Sequence, residues 1–108
     1  MSWKEEFEHE LKAGQVAEEQ QNHGRARVCA RRAVGLVLTE FYKEAGIIGG
    51  TDAVKLLERF LQEEQVPELV FKAGNRLRSR VSPDFTSPSE HPLDDARMVI
   101  DHLRSLLS

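Results

Sequence analysis

The sequence predicts an all-α protein: a four- to five-helix up-and-down bundle in which two long antiparallel helices precede three shorter ones. Three observations predict it. Apolar residues recur at three- and four-residue spacings through most of the 108-residue chain. Residues 25–46 form the longest apolar-rich run without a proline, closed by Gly46. Turn residues and prolines then divide the chain into segments of helical length, at Asn22 and Gly24, at residues 46–50, at Pro67 and across residues 81–92.

Each element follows from its own residues. Ser2 with Glu5 matches a capping box, so a first helix starts at Trp3. Trp3, Phe7, Leu11 and Ala17 form its apolar stripe, and Gly14 weakens it without ending it. The polar residues 18–24 make the first turn, so the next helix returns antiparallel. This second helix, residues 25–46, is the centre of the bundle. On a helical wheel Ala30, Ala33, Val34, Val37, Leu38 and Phe41 share one broad arc, while Val28, Cys29 and Leu36 lie on the far side with Arg25 and Arg32. A helix apolar on two sides needs cover on both, either from the later helices or from a second copy of the chain across a two-fold axis. Thr51 or Asp52 caps a third helix running to about Gln65, with Val54, Leu57, Phe60 and Leu61 inward. Pro67 fits the first position of a fourth, to about Arg80, with Leu69, Val70, Ala73 and Leu77 inward. Residues 81–92 hold three prolines and read as a loop, with Phe85 an anchor for it. A fifth helix from about Leu93 to Leu107 turns Ala96, Val99, Ile100, Leu103 and Leu107 inward.

Composition bounds the function. A chain of this length is expected to form one domain, residues 1–108. Apolar and charged fractions of 40% and 31% are those of an ordinary globular protein. The net charge of −3 argues against a nucleic-acid binder that relies on bulk charge and leaves room for a local basic patch. Cys29 is the single cysteine and is expected to be a buried thiol in a reducing compartment. Neither a signal-type N-terminus nor a membrane-spanning apolar run is present, so a cytoplasmic protein is expected. The four histidines and one cysteine have no metal-ligand spacing, and residues 46–50 lack the lysine and hydroxyl residue of a phosphate-binding loop. No metal and no cofactor is expected.

Two basic clusters remain. Arg25, Arg27, Arg31 and Arg32 are the densest, with Arg25 and Arg32 on one face of the second helix and Arg27 and Arg31 on another. Pairing with Glu18 and Glu19 near the hairpin turn is the structural expectation for them, and contact with a nucleotide or RNA phosphate the functional one. Split between two faces, the arginines of the second helix form no single phosphate-binding stripe. Lys72, Arg76 and Arg80 instead stand four apart on one face of the fourth helix and are the better geometric candidate for a phosphate-tracking row, with a solvated helix face as the structural expectation.

The run Asn22-His23-Gly24-Arg25-Ala26-Arg27-Val28-Cys29-Ala30-Arg31-Arg32-Ala33 opens the second helix after an Asn/Gly turn with small residues. Arg80-Val81-Ser82-Pro83-Asp84 precedes the last helix, which opens with Asp94-Asp95-Ala96-Arg97. In these landmarks and in helix order the chain resembles the HEPN family (higher eukaryotes and prokaryotes nucleotide-binding domain). The resemblance implies an association with nucleotide, RNA or a nucleotidyltransferase-type partner protein. With the two-sided second helix, which supports a homodimer, the chain reads as a dimeric binding or assembly module that is not itself catalytic. The family also includes metal-independent ribonucleases that use an arginine and a histidine four to six residues further on, a spacing met by Arg97 and His102. There an imidazole would act in general acid–base catalysis and a guanidinium would stabilise phosphate charge. Met98 stands where that motif has a polar residue, and positions five apart diverge by about 140° on a regular helix. Solvated helix surface is therefore the default for this pair, and a plain protein–protein interaction bundle is the third reading of the chain.

Overall fold

Ser2, in extended conformation, accepts a hydrogen bond from the amide of Glu5 and starts the first helix, as the capping box predicts. The computed structural model describes residues 2–47, 52–79 and 91–107. Five helices are present among them and no strand: α1 (Trp3–Glu19), α2 (His23–Glu44), α3 (Ala53–Leu61), α4 (Glu68–Arg78) and α5 (Pro92–Leu106). The Asn22 side chain caps α2 by accepting from Arg25 N, and Asp52 caps α3 by accepting from Val54 N and Lys55 N. Gly46 adopts φ 78° just past the end of α2, where the left-handed conformation turns the chain out of the helix and lets Ile47 N reach Tyr42 O.

The central position of α2 is as its two-sided wheel predicts, since it contacts all four other helices. Ala30, Ala33, Val34, Val37 and Leu38 are each 1% exposed or less. Around them pack Phe7 and Leu11 of α1, Leu57 and Phe60 of α3, Leu77 of α4, and Val99, Ile100 and Leu103 of α5. Together α3, α4 and α5 cover one side of the α1–α2 hairpin.

Several boundaries and faces differ from expectation. The second helix begins at His23 rather than Arg25, because Asn22 caps it, so Gly24 lies within the helix and not in the turn. The third helix stops at Leu61 rather than near Gln65, because Gln62 N and Glu63 N turn to the tighter i−3 carbonyls of Arg59 and Phe60. Its buried face is Leu56, Leu57, Phe60 and Leu61, with Val54 only half-buried. In α4 the inward set is Val70, Ala73, Gly74 and Leu77, a strict i, i+3, i+4, i+7 pattern that leaves Leu69 67% exposed. Gly74 sits where a Cβ would fall 2.8 Å from Leu61, so α4 closes tightly on α3. Residues 48–51, Arg80 and residues 81–90, with the expected Phe85 anchor and the Arg80–Asp84 element, lie outside the described residues.

A candidate interface on the open face of the first helix pair

The hairpin register is set by Gly14. A Cβ there would stand 3.1 Å from the Cβ of Cys29 and 2.6 Å from Leu93 Cδ2, so a larger residue would displace the Leu93 side chain and crowd Cys29 at the crossing of α1 and α2. From that crossing the antiparallel register carries Glu10 to Arg32 and Trp3 to Leu36 and Glu40. These residues form the outer side of the hairpin, which α3 reaches only with its first residue, Ala53, among the described residues.

Two cavities run along this outer side. The larger, about 670 Å³, has Trp3, Leu36 and Ala53 as its apolar surface, with Glu6, Glu10, Thr39 and Glu40 adding polar groups. The smaller, about 540 Å³, lies toward the start of α2 and is lined by Asn22, Gly24, Arg25, Val28 and Cys29. His9, Glu10 and Arg32 line both, so the two form one groove. Glu6 and Glu40 stand at the end formed by the larger cavity, Arg25 at the other end, and Glu10 and Arg32 share the middle. Val28 is 44% exposed and Leu36 half-buried, so the second apolar side of α2 is only partly covered within its own chain. Cys29 is 4% exposed, and burial, then the charge of Glu10, raises its thiol pKa.

The arginines of α2 divide by task. Arg27, 4% exposed, donates from Nη2 to the carbonyl of Arg76 at 3.4 Å. Arg31 donates from Nε to Leu77 O at 2.6 Å and from Nη2 to Ser79 O at 2.8 Å. Both guanidinium groups therefore serve the carbonyl end of α4, where a helix leaves acceptors unsatisfied and favours positive charge. Burial lowers both pKa values, and for Arg27 the neighbouring charge of Arg31 adds to it. The expected ion pairs with Glu18 and Glu19 do not form among the described residues, because the carbonyl end of α4 is within reach of Arg27 and Arg31. Arg25 and Arg32, on the groove face, are exposed and make no side-chain ion pair or hydrogen bond among the described residues.

On α4, Arg76 donates from Nη2 and Nε to the two carboxylate oxygens of Asp95 at 2.7 and 3.1 Å, a bidentate pair joining α4 to α5. Hydrogen bonding to Asp95 raises the Arg76 pKa further. Lys72 pairs with Glu68 on the same exposed face at 3.2 Å. Arg80 lies outside the described residues; of the two described members of the row, Arg76 is held by Asp95 and Lys72 has a surface partner, Glu68.

Arg97 and His102 lie on the uninterrupted helix α5. Arg97 is exposed and borders a cavity of about 610 Å³ with Glu5, Glu8 and Lys12 of α1. His102 is half-buried, its ring 6.1 Å from that of Phe60 on α3. The two side chains thus serve different neighbours, and His102 does not line the cavity that Arg97 borders.

Glu6, His9, Glu10 and Glu40 are groove residues that composition and spacing did not single out. The signal for them was the far-side arc of α2 combined with the hairpin register, which requires knowing where the two helices cross. No family model, curated protein or solved structure matches the chain.

Proposed function

We propose that this protein is a HEPN-like binding and assembly module, without catalysis of its own. It takes nucleotide or RNA phosphate at the basic end of the α1–α2 groove and works as a homodimer or with a nucleotidyltransferase-type partner in the cytoplasm. The observation that carries this reading is the division of the arginines. Arg27, Arg31 and Arg76 are held by groups within the fold, whereas Arg25 and Arg32 are exposed on one side of α2 beside a cavity that a ligand could enter. Guanidinium groups with no internal partner offer forked donors suited to phosphate oxygens. Neighbouring Asn22 and Gly24 belong to the start of a 22-residue helix, whose dipole favours an anion at the same end.

The separation of Arg97 from His102 favours this reading over the ribonuclease. General acid–base cleavage needs both groups at one phosphate, and on one α5 they face different surroundings.

The test is binding of a labelled single-stranded RNA oligonucleotide, followed by fluorescence anisotropy over a salt series in chelator. Binding should weaken as salt rises, and Arg25→Ala should lower affinity and flatten the logarithmic salt dependence by about 0.7 for one lost phosphate contact. Unchanged affinity in that variant would remove Arg25 from the site. Cleavage of the RNA that disappears in His102→Ala would replace the binding module with the ribonuclease.

A further inference from the structure

We infer that the α1–α2 groove is occupied by a second copy of this chain, with two α2 helices crossing antiparallel on a two-fold axis at Leu36. The inference rests on the assembly reading above and commits it to a face and a register. Arg32, Leu36 and Glu40 follow one another at four-residue intervals and so form one ridge along α2. All three line the larger cavity. The ridge carries a positive charge about 6 Å to one side of Leu36 and a negative charge about 6 Å to the other. Neither charge has an ion-pair partner among the described residues.

That pattern is complementary to itself when reversed. An antiparallel two-fold at Leu36 sets Arg32 opposite Glu40 of the partner subunit, and the symmetry makes the same pair a second time. Leu36 meets Leu36 of the partner subunit on the axis, and Trp3 and Ala53 flank that apolar contact in the same cavity. A partner of uniform charge would leave either Arg32 or Glu40 facing its like. The observed order of charge, apolar residue and opposite charge favours a copy of the chain over a basic or an acidic helix. In this crossing Arg32 belongs to the dimer. Arg25, about 16 Å along α2 from Leu36, remains at the open end of the groove for phosphate.

The experiment is sedimentation equilibrium of the full chain and two charge reversals, Arg32→Glu and Glu40→Arg, alone and mixed. The wild-type chain should show about twice its 12.3 kDa mass. Each reversal places like charges opposite each other twice and should sediment as a monomer with unchanged helical circular dichroism. In an equimolar mixture both pairs regain opposite signs, so a heterodimer should form, an outcome that a misfolded variant cannot give. A monomeric wild type at hundred-micromolar concentration, reversals that remain dimeric, or a mixture no heavier than its parts would each overturn the inference. The Arg25→Ala variant should keep the dimer mass while losing RNA affinity. A dimer without RNA binding would thus defeat only the phosphate reading, and RNA binding by a monomer only the dimer.

Discussion

Asp95 keeps 9% of its side chain exposed, and Arg76 supplies two of its hydrogen bonds. Removing the guanidinium leaves a carboxylate in a poorly solvated position without its bidentate partner. Arg76→Ala should lower the unfolding free energy by about 2 kcal/mol, less than a fully buried pair would lose because Arg76 itself is 41% exposed. Arg76→Lys should recover part of the loss, since it keeps the charge but not the fork. Urea midpoints of the three proteins check this, and equal midpoints would mean that the pair contributes nothing. Tyr42 gives a pH-dependent counterpart. Burial, then the nearby Glu63 carboxylate, raises its pKa from 10.0 to about 12. Between these values the unfolded chain releases a phenolic proton that the folded chain retains, so stability falls as pH rises. The contribution is complete below about pH 10 and lost as pH passes about 12. Because Tyr42 is the sole tyrosine, phenolate absorbance titrates it directly. The native titration should lie above that in denaturant, and Tyr42→Phe should flatten the alkaline decline in stability.

Between elements, two glycines of α2 predict opposite outcomes. A Cβ on Gly35 would stand 2.6 Å from the Cβ of Ala53 and 3.2 Å from its Cα, both atoms at the fixed start of α3. Gly35→Ala must push α3 away and should cost about 1–3 kcal/mol despite the better helix propensity of alanine. Gly24 meets nothing within 4 Å, so Gly24→Ala should gain about 0.5 kcal/mol. Thermal midpoints that shift in the same direction for both variants would refute the close α2–α3 contact. Helix identity was legible in the sequence wherever caps and periodicity agreed, as at Ser2, Asp52 and Gly46, whereas Asn22 was legible as a turn residue and not as the cap of α2. Facing was less so. Val54 and Leu69 fit an apolar stripe by spacing alone, and only the docking of α3 into the core and of α4 against α3 selected Leu56 and Gly74 instead.

Across the whole molecule, the two-sided apolar wheel of α2 already indicated a helix needing cover on both sides. The later helices cover one side, and the other carries the groove. What the wheel could not reveal is which arginines the fold would use. The wheel places Arg25 and Arg27 on different faces, but which of those faces the fold uses appears only when the end of α4 arrives beside Arg27. The same blindness applies to Arg97 and His102, whose spacing along the chain is silent about the separate neighbours Phe60 and α1. The anchoring of α4 has a further consequence. Arg27 and Arg31 hold it by main-chain carbonyls, at Arg76, Leu77 and Ser79, rather than by side chains. The attachment therefore depends on the amino-acid identity of one helix only. Exchange of Ser79 for another residue leaves its acceptor in place, while loss of Arg31 removes two donors at once. Sequence drift should consequently be tolerated unequally at this joint, readily at Ser79 and narrowly at the donors Arg27 and Arg31, while Arg76 and Leu77 are constrained by the Asp95 pair and the core rather than by the joint.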